Sequence, residues 1–228
     1  MVKMVFAAVT ACLLVGCSSG SHPSPTSAAR ANADIARVVA VKSDFGPEFN
    51  VTEVGERAID PGFFAGHKLP DGLTFEPPGC AKTAAGPDMP PGVQGKMAAI
   101  SAEGGGSRFV VIAVETSEQL PFNDPSQDCK KVAFSGPQLR GAIEVVESPT
   151  IDGTRTQGVH RVLQAVVDGS AHTGELYDYA AQFGAAQAGY YQVMVIANPL
   201  VIPGQRLVQV DTKRARDLLV KAVAAVRG

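Results

Sequence analysis

The chain has 228 residues, with 20 Lys and Arg against 22 Asp and Glu, a formal net charge of -2 at pH 7. That mildly acidic balance, without a basic run, excludes the electrostatic footprint of a nucleic-acid binder and leaves no cationic patch for a membrane surface. Once a signal and a tether are set aside, the length supports one domain of roughly 190 residues, or at most two small ones, enough for a full core.

Met1-Val2-Lys3-Met4 opens with a positive charge, Val5 to Leu13 is an apolar run, and Ser18-Ser19-Gly20-Ser21 is polar. A charged start, a short apolar stretch and small residues at the cut describe an export signal. The apolar run is too short to cross a bilayer core, which needs ~20 residues. The Leu14-Val15-Gly16-Cys17 ending resembles the lipobox of bacterial lipoproteins. That resemblance implies lipidation of the Cys17 thiol, cleavage before Cys17, and acyl chains holding the mature N-terminus in the cell membrane on its extracytoplasmic face. An ordinary cleaved signal with an incidental Cys17 is the alternative. The expected organisation is a signal peptide over 1–16, lipidated Cys17 with a flexible Ser/Pro/Ala tether over 17–33, and one extracytoplasmic domain over 34–228. About 15 flexible residues reach roughly 20 Å.

Asp34 is a possible N-cap for a short helix carrying Ile35, Val38, Val39 and Lys42. Phe49 to Val54 alternates apolar and polar residues and predicts a strand. Between positions 60 and 92, Pro61, Pro70, Pro77, Pro78, Pro87, Pro90 and Pro91 exclude a regular sheet. Pro78 to Ala85 allows one or two helical turns before Gly86 stops them. Lys96 to Ala102 and Arg108 to Thr116 predict a hairpin whose turn glycines supply positive φ. Phe109 to Val114 is apolar on both faces and belongs at the centre of its sheet. Asp124 to Lys131 reads as a short helix or turn. Gly141 to Glu147 reads as a strand, and Pro149 to Thr154 as a connection with Asp-Gly turn chemistry.

Thr156 to Val167, Glu175 to Phe183 and Gly189 to Ala197 predict three further strands. In the second, period two puts Tyr177, Tyr179, Ala181 and Phe183 on one face and Asp178 and Gln182 on the other. A helix is the alternative there. Asp211 or Thr212 caps a final helix, whose stripe Leu218, Leu219, Ala222, Val223 and Val226 packs on the sheet while Lys213, Arg216, Lys221 and Arg227 face water. The fold class is α+β: a single domain with a largely antiparallel β-sheet and helices packed on one face, the amphipathic C-terminal helix among them.

With Cys12 in the removed signal and Cys17 acylated, Cys80 and Cys129 remain in an oxidising compartment, where a disulfide is expected. Two unpaired buried thiols are the alternative. His22, His67, His160 and His172 show no metal-ligand spacing with one another or with the cysteines. There is no Gly-x-Ser-x-Gly elbow and no His-Glu-x-x-His. Gly92 to Lys96 has only the end of a phosphate loop. Gly104 to Ser107 suits a hairpin turn better than an anion cradle. His160 falls in a strand and His172 in a turn, both readable as surface histidines. Glu118, Asp124 and Asp128 read as solvated charge. No catalytic, cofactor-binding or metal residue is therefore assigned. Tyr177, Tyr179, Tyr190 and Tyr191 either wall a ligand groove or divide between core and surface.

Leu69-Pro70, then Pro77-Pro78-Gly79-Cys80-Ala81, with Cys129 and a closing strand and helix downstream, make the sequence similar to mycobacterial envelope lipoproteins. The same features resemble the extracellular sensor-domain family of a receptor serine/threonine kinase. The resemblance implies a single α+β domain with an antiparallel sheet, disulfide support and a ligand cleft. The expected function is a lipid-anchored, non-catalytic domain that binds a small molecule, a lipid or an envelope protein, and not nucleic acid. The alternatives are a carrier of envelope lipids, which needs a large apolar cavity, and an envelope hydrolase with scattered catalytic residues.

Overall fold

The computed structural model describes residues 33–59, 69–86, 90, 92–167, 169–186, 188–202 and 206–228. The signal peptide 1–16, Cys17, the tether up to residue 32, His22 and His67 lie outside the described residues.

A 3-10 helix, Ile35–Asp44, opens the domain. Asp34 caps it by accepting a hydrogen bond from the Ala36 N–H at 2.9 Å. Its buried residues are Ile35, Val38 and Val41, three apart, which is the spacing a helix of 3.0 residues per turn stacks on one face. Tightening the helix from 3.6 to 3.0 residues per turn swaps Val41 into the core and leaves Val39 at its margin.

The strands follow as β1 (Asn50–Ala58), β2 (Thr74–Glu76), β3 (Gly95–Gly104), β4 (Ser107–Thr116), β5 (Lys131–Ser135), β6 (Leu139–Val146), β7 (Arg155–Val167), β8 (Ser170–Ala185) and β9 (Gly189–Pro199). They form one antiparallel sheet in the order β1-β3-β4-β9-β8-β7-β6-β5-β2. The β3–β4 turn has Gly105 and Gly106 at φ 56° and 77°, as two successive positive-φ residues in a hairpin require. Helix α1 (Ala81–Ala85) ends at Gly86, and α2 (Thr212–Arg227) closes the chain.

Two strands on the β5 side of the sheet depart from the sequence reading. Within the proline-rich stretch, Thr74–Glu76 does pair, with Ser135, Phe134 and Ala133, because a three-residue edge strand avoids the prolines on either side. Lys131, read as the last residue of a short helix or turn, begins a strand instead, Lys131–Ser135, whose Val132 and Phe134 point inward.

Pairing assigns side chains to faces. On one face Ile100, Phe109, Val111, Tyr179, Val193 and Val195 meet the buried stripe of α2 and the N-terminal helix. That stripe is Ala215, Leu218, Leu219, Ala222, Val223 and Val226. The helices cover the β1-to-β8 half of this face. The opposite face carries two clusters, one around Met97, Ile112 and Val114, the other around Val132, Phe134, Ile143 and Val159. The short α1 packs against the second of these, through Ala84 and Cys80. Cys80 is bonded to Cys129, 49 positions away in sequence, with Cα atoms 5.4 Å apart. The bond fastens the proline-rich segment to the start of β5.

Candidate functional site

The two ends of the sheet differ. Asp34 N–H donates to Val226 O at 2.8 Å, so the start of the domain meets the end of α2. Arg227 donates to the carbonyls of Asp152 and Gly153 at 2.7 and 3.1 Å, and its guanidinium lies 4.7 Å from the Phe183 ring. Arg227 is therefore half-buried structural clamp rather than water-facing charge, and burial lowers its pKa. This is the near end; the β3–β4 and β7–β8 turns lie at the far end.

At the near end a cleft of about 340 Å³ opens between the β8–β9 hairpin, the end of β4 and the β6–β7 loop. Gln182 lies in its lining although it is only 6% exposed. Its Nε2 donates to Leu120 O at 3.0 Å and to Gln192 Oε1 at 2.9 Å. Reversing the amide would set its oxygen against two acceptors, so the neighbours fix the orientation. Its Oε1 is buried and has no hydrogen-bond partner among the described residues. Beside it Thr116, also buried, donates from Oγ1 to Glu118 O at 2.8 Å. Tyr191 stacks on Phe183 with ring centres 5.3 Å apart and donates to Glu115 at 3.4 Å. Burial, then the Glu115 charge, raises the Tyr191 pKa. Gly184, at φ 108°, closes this corner: a Cβ there would lie 2.2 Å from Gly189 O.

A second, shallower cleft of about 410 Å³ lies on the helix side of β5 to β8, beyond the reach of α2. Ala142 and Val162 floor it, and Arg140, Gln164 and Thr173 rim it. Gln164 Nε2 donates to Thr173 Oγ1 at 3.3 Å and its Oε1 accepts from Arg140. On the same side, where β7 pairs with β8, His160 stacks on Tyr177 at 4.3 Å and 11°, and its Nε2 lies 2.9 Å from Glu175 Oε1. Tyr177 donates to the same carboxylate at 3.4 Å. Burial, then Glu175, raises the Tyr177 pKa.

The four tyrosines thus share no groove. Tyr190 and Tyr191 line the near-end cleft, Tyr177 belongs to the His160 stack, and Tyr179 is a core residue 1% exposed. Burial raises the Tyr179 pKa against opposing hydrogen bonds from Arg216 and Thr212, which tie the sheet to α2. His172, read from sequence in a turn, pairs with Ala165 inside β8, which starts earlier than the alternation indicated. Asp124 forms an exposed ion pair with Arg155 at 3.6 Å. Lys96, the end of the partial phosphate-loop pattern, sits in β3 and binds Glu56 at 2.8 Å. The Gly106 turn is filled by Val208, 2.5 Å from where a Cβ would stand. No group of three His, Cys, Asp or Glu among the described residues is arranged to hold a metal. Gln182, Gln192 and Thr116 had no motif to mark them; the one signal is that Gln192 stands between Tyr190 and Met194 on a face of β9 that is apolar from Met194 to Ile196.

The near-end cleft offers amides, a hydroxyl and aromatic walls, which is the chemistry of recognition. An uncharacterised protein from Mycobacterium smegmatis, the Rv0999 ortholog, solved by X-ray, is 53% identical and has a TM-score of 0.80; the match covers 87% of this chain and all (100%) of that one. The curated proteins contain no match. A family model described as a domain of unknown function, DUF5642, matches residues 34–227. Matching nearly the whole described domain, it shows that the chain belongs to the DUF5642 family, with a mycobacterial relative of the same fold.

Proposed function

We propose that the chain is a lipid-anchored envelope protein whose domain is a non-catalytic binding module for a small molecule, a lipid or a partner protein. The observation that carries the reading is the shared location of the domain's start and its cleft. Asp34 is bonded to Val226, Arg227 reaches Gly153, and Gly153 lines the cleft with Gln182 and Tyr190. An acyl anchor on Cys17, joined to Asp34 by a tether of roughly 20 Å, would hold this end towards the membrane. The cleft would then meet its ligand at the membrane surface. The resemblance to kinase sensor domains supports the same reading, a single α+β domain displayed outside the cell.

A lipid carrier calls for a deep apolar cavity, whereas the two clefts are open and edged by amides, hydroxyls and Arg140. A hydrolase calls for a nucleophile beside a base. At the near end the Thr116 hydroxyl is spent on a backbone carbonyl, and His160 is engaged with Glu175 and Tyr177 on a different part of the sheet.

Two measurements test the proposal. Fatty-acid labelling should mark the wild-type chain, and Cys17→Ala should abolish the label and move the chain to the soluble fraction; unlabelled wild type would refute the anchor. Native mass spectrometry of the full chain should show a co-purifying mass that Tyr190→Ala loses. A mass retained by that variant would remove the cleft from the reading.

A further inference from the structure

Strand β8 is longer than its neighbour. It pairs with β7 along Ser170 to Gln182, but with β9 only from Tyr177 onward. β9 continues beside β4 as far as Pro199. The sheet therefore splits at the far end, and seven residues of β8, Ser170 to Leu176, have no strand on one side among the described residues. Positions 169–174 are all exposed. The segment is thus the free edge of the β8-β7-β6-β5-β2 part of the sheet: β7 opposite it is paired with β6 as far as Ala165, and only the hairpin tip beyond is two-stranded.

The other free edges are blunted and this one is not. β1 breaks its register between Val54 and Arg57 and places Glu53, Glu56 and Arg57 along the edge. β2 stops after three residues, at Pro77. Bulges, charges, proline and brevity are the usual protections of an edge. Ser170 to Leu176 contains no Lys or Pro, its ladder with β7 has no register shift, and its carboxylate, Glu175, is turned to His160 and Tyr177.

The sequence of the edge also says what fits it. Folded back on itself about Thr173, it sets Gly174 opposite His172, Glu175 opposite Ala171, and Leu176 opposite Ser170. Each larger side chain meets a small one, the two threonines meet each other, and no like charges are opposed. An antiparallel pair with this property is what a two-fold axis requires, because one segment must complement itself. The overlap would carry the hairpin tip, with Val166 48% exposed, to the place where the partner's β9 leaves the sheet. The loop that follows there holds Val201, 78% exposed, and Ile202.

We propose that Ser170–Leu176 pairs with the same segment of a second copy of this chain, antiparallel and centred on Thr173, joining two sheets into one. Seven residues span about 23 Å at the rise of an antiparallel strand. The contact is smaller than a standard interface of ~1,200–2,000 Å², so the dimer is a reversible, concentration-dependent one. The two tethered ends lie at opposite ends of it, so on one membrane its strands run along the surface.

The proposal does not depend on the ligand or on the anchor. Sedimentation of the full chain, in density-matched detergent if it is acylated, should show dimer growing with concentration. Thr173→Lys, which opposes two charges at the axis, should weaken dimerisation at least tenfold while leaving the melting temperature unchanged. Thr173→Cys should form a covalent dimer under mild oxidation, and Thr52→Cys on the β1 edge should not. A chain that stays monomeric at every concentration, a dimer indifferent to Thr173→Lys, or equal cross-linking at positions 52 and 173 would each overturn it.

Discussion

Leu219 and Lys221 are two residues apart on α2 and lie in opposite environments. Leu219 is 0% exposed, within the stripe that meets Val111, Val193 and Val195. Leu219→Ala removes three buried carbons, about 0.8 kcal/mol each by transfer, and the cavity brings the total to about 3–4 kcal/mol. Lys221 pairs with Asp44 of the N-terminal helix, but its side chain is 55% exposed. Exposed pairs contribute about 0.2–1 kcal/mol, so Lys221→Ala stays within that range. In urea, at a slope of about 2–3 kcal/mol per M, Leu219→Ala should lower the midpoint by about 1–2 M and Lys221→Ala by a few tenths. Equal, small shifts would mean that α2 is not part of the core. The stripe would then be a docking face rather than half of the hydrophobic layer.

Three further outcomes follow from the same structure. Reducing Cys80–Cys129 opens a loop of 49 positions and should lower stability by up to roughly 4 kcal/mol, read as a lower melting temperature; an unchanged melt would remove the bond from the stability of the domain. Gln182→Met removes a buried unpaired acceptor but strands the Leu120 carbonyl, opposing effects of about 1 kcal/mol each, so the net change should stay within about 1 kcal/mol; a loss above about 2 would show that Oε1 is occupied in solution. Tyr177, Tyr179 and Tyr191 all have pKa values raised above 10.0, so the folded state holds their protons more tightly than the unfolded state. Their contribution is complete below pH 10 and is lost as pH rises through the folded values, and Tyr179→Phe should flatten the alkaline limb of a stability–pH curve; an unchanged limb would contradict that assignment.

Local rules made most of the fold legible. The Gly105-Gly106 turn, the alternation of β8 and the stripe of α2 each arise from period or turn chemistry within one segment. What escaped depended on partners distant in sequence. Thr74–Glu76 is a strand only because β5 is there to pair with it. The pitch of the N-terminal helix was open, since Ile35 and Val38 satisfy either period and only Val41 against Val39 distinguishes them. The candidate site was less legible still. Alternation placed Gln182 opposite Tyr179 and Phe183, which for a polar residue reads as the solvent face. The loop after β4 covers that face and offers it the Leu120 carbonyl, so a polar side chain became a buried one. Period two assigns a residue to a face, but whether that face is wet depends on what crosses it. The tyrosines failed as a group for a related reason, because register sets Tyr177 opposite Ala197 but Tyr190 opposite Gly184, at different heights in the sheet.

Strand β8 reaches both proposed contacts, with Thr173 at the free edge and Gln182 at the cleft. Nine residues separate these positions, about 30 Å at the rise of a strand. A shared strand is not by itself a coupling. Energy passes between distant sites when an element between them has two arrangements that both sites bias. From Tyr177 to Gln182 β8 is paired on both sides, and Tyr179 and Ala181 are packed under α2, so that stretch has one well-determined arrangement. Ligand occupancy at the near end and pairing at the far end should therefore be independent. Thr173→Lys should leave any mass retained at the cleft unchanged, and Tyr190→Ala should leave the dimer equilibrium where it was. If either variant moved the other readout, the middle of β8 would have to be mobile, and amide exchange at Tyr179 and Ala181 would be the place to see it.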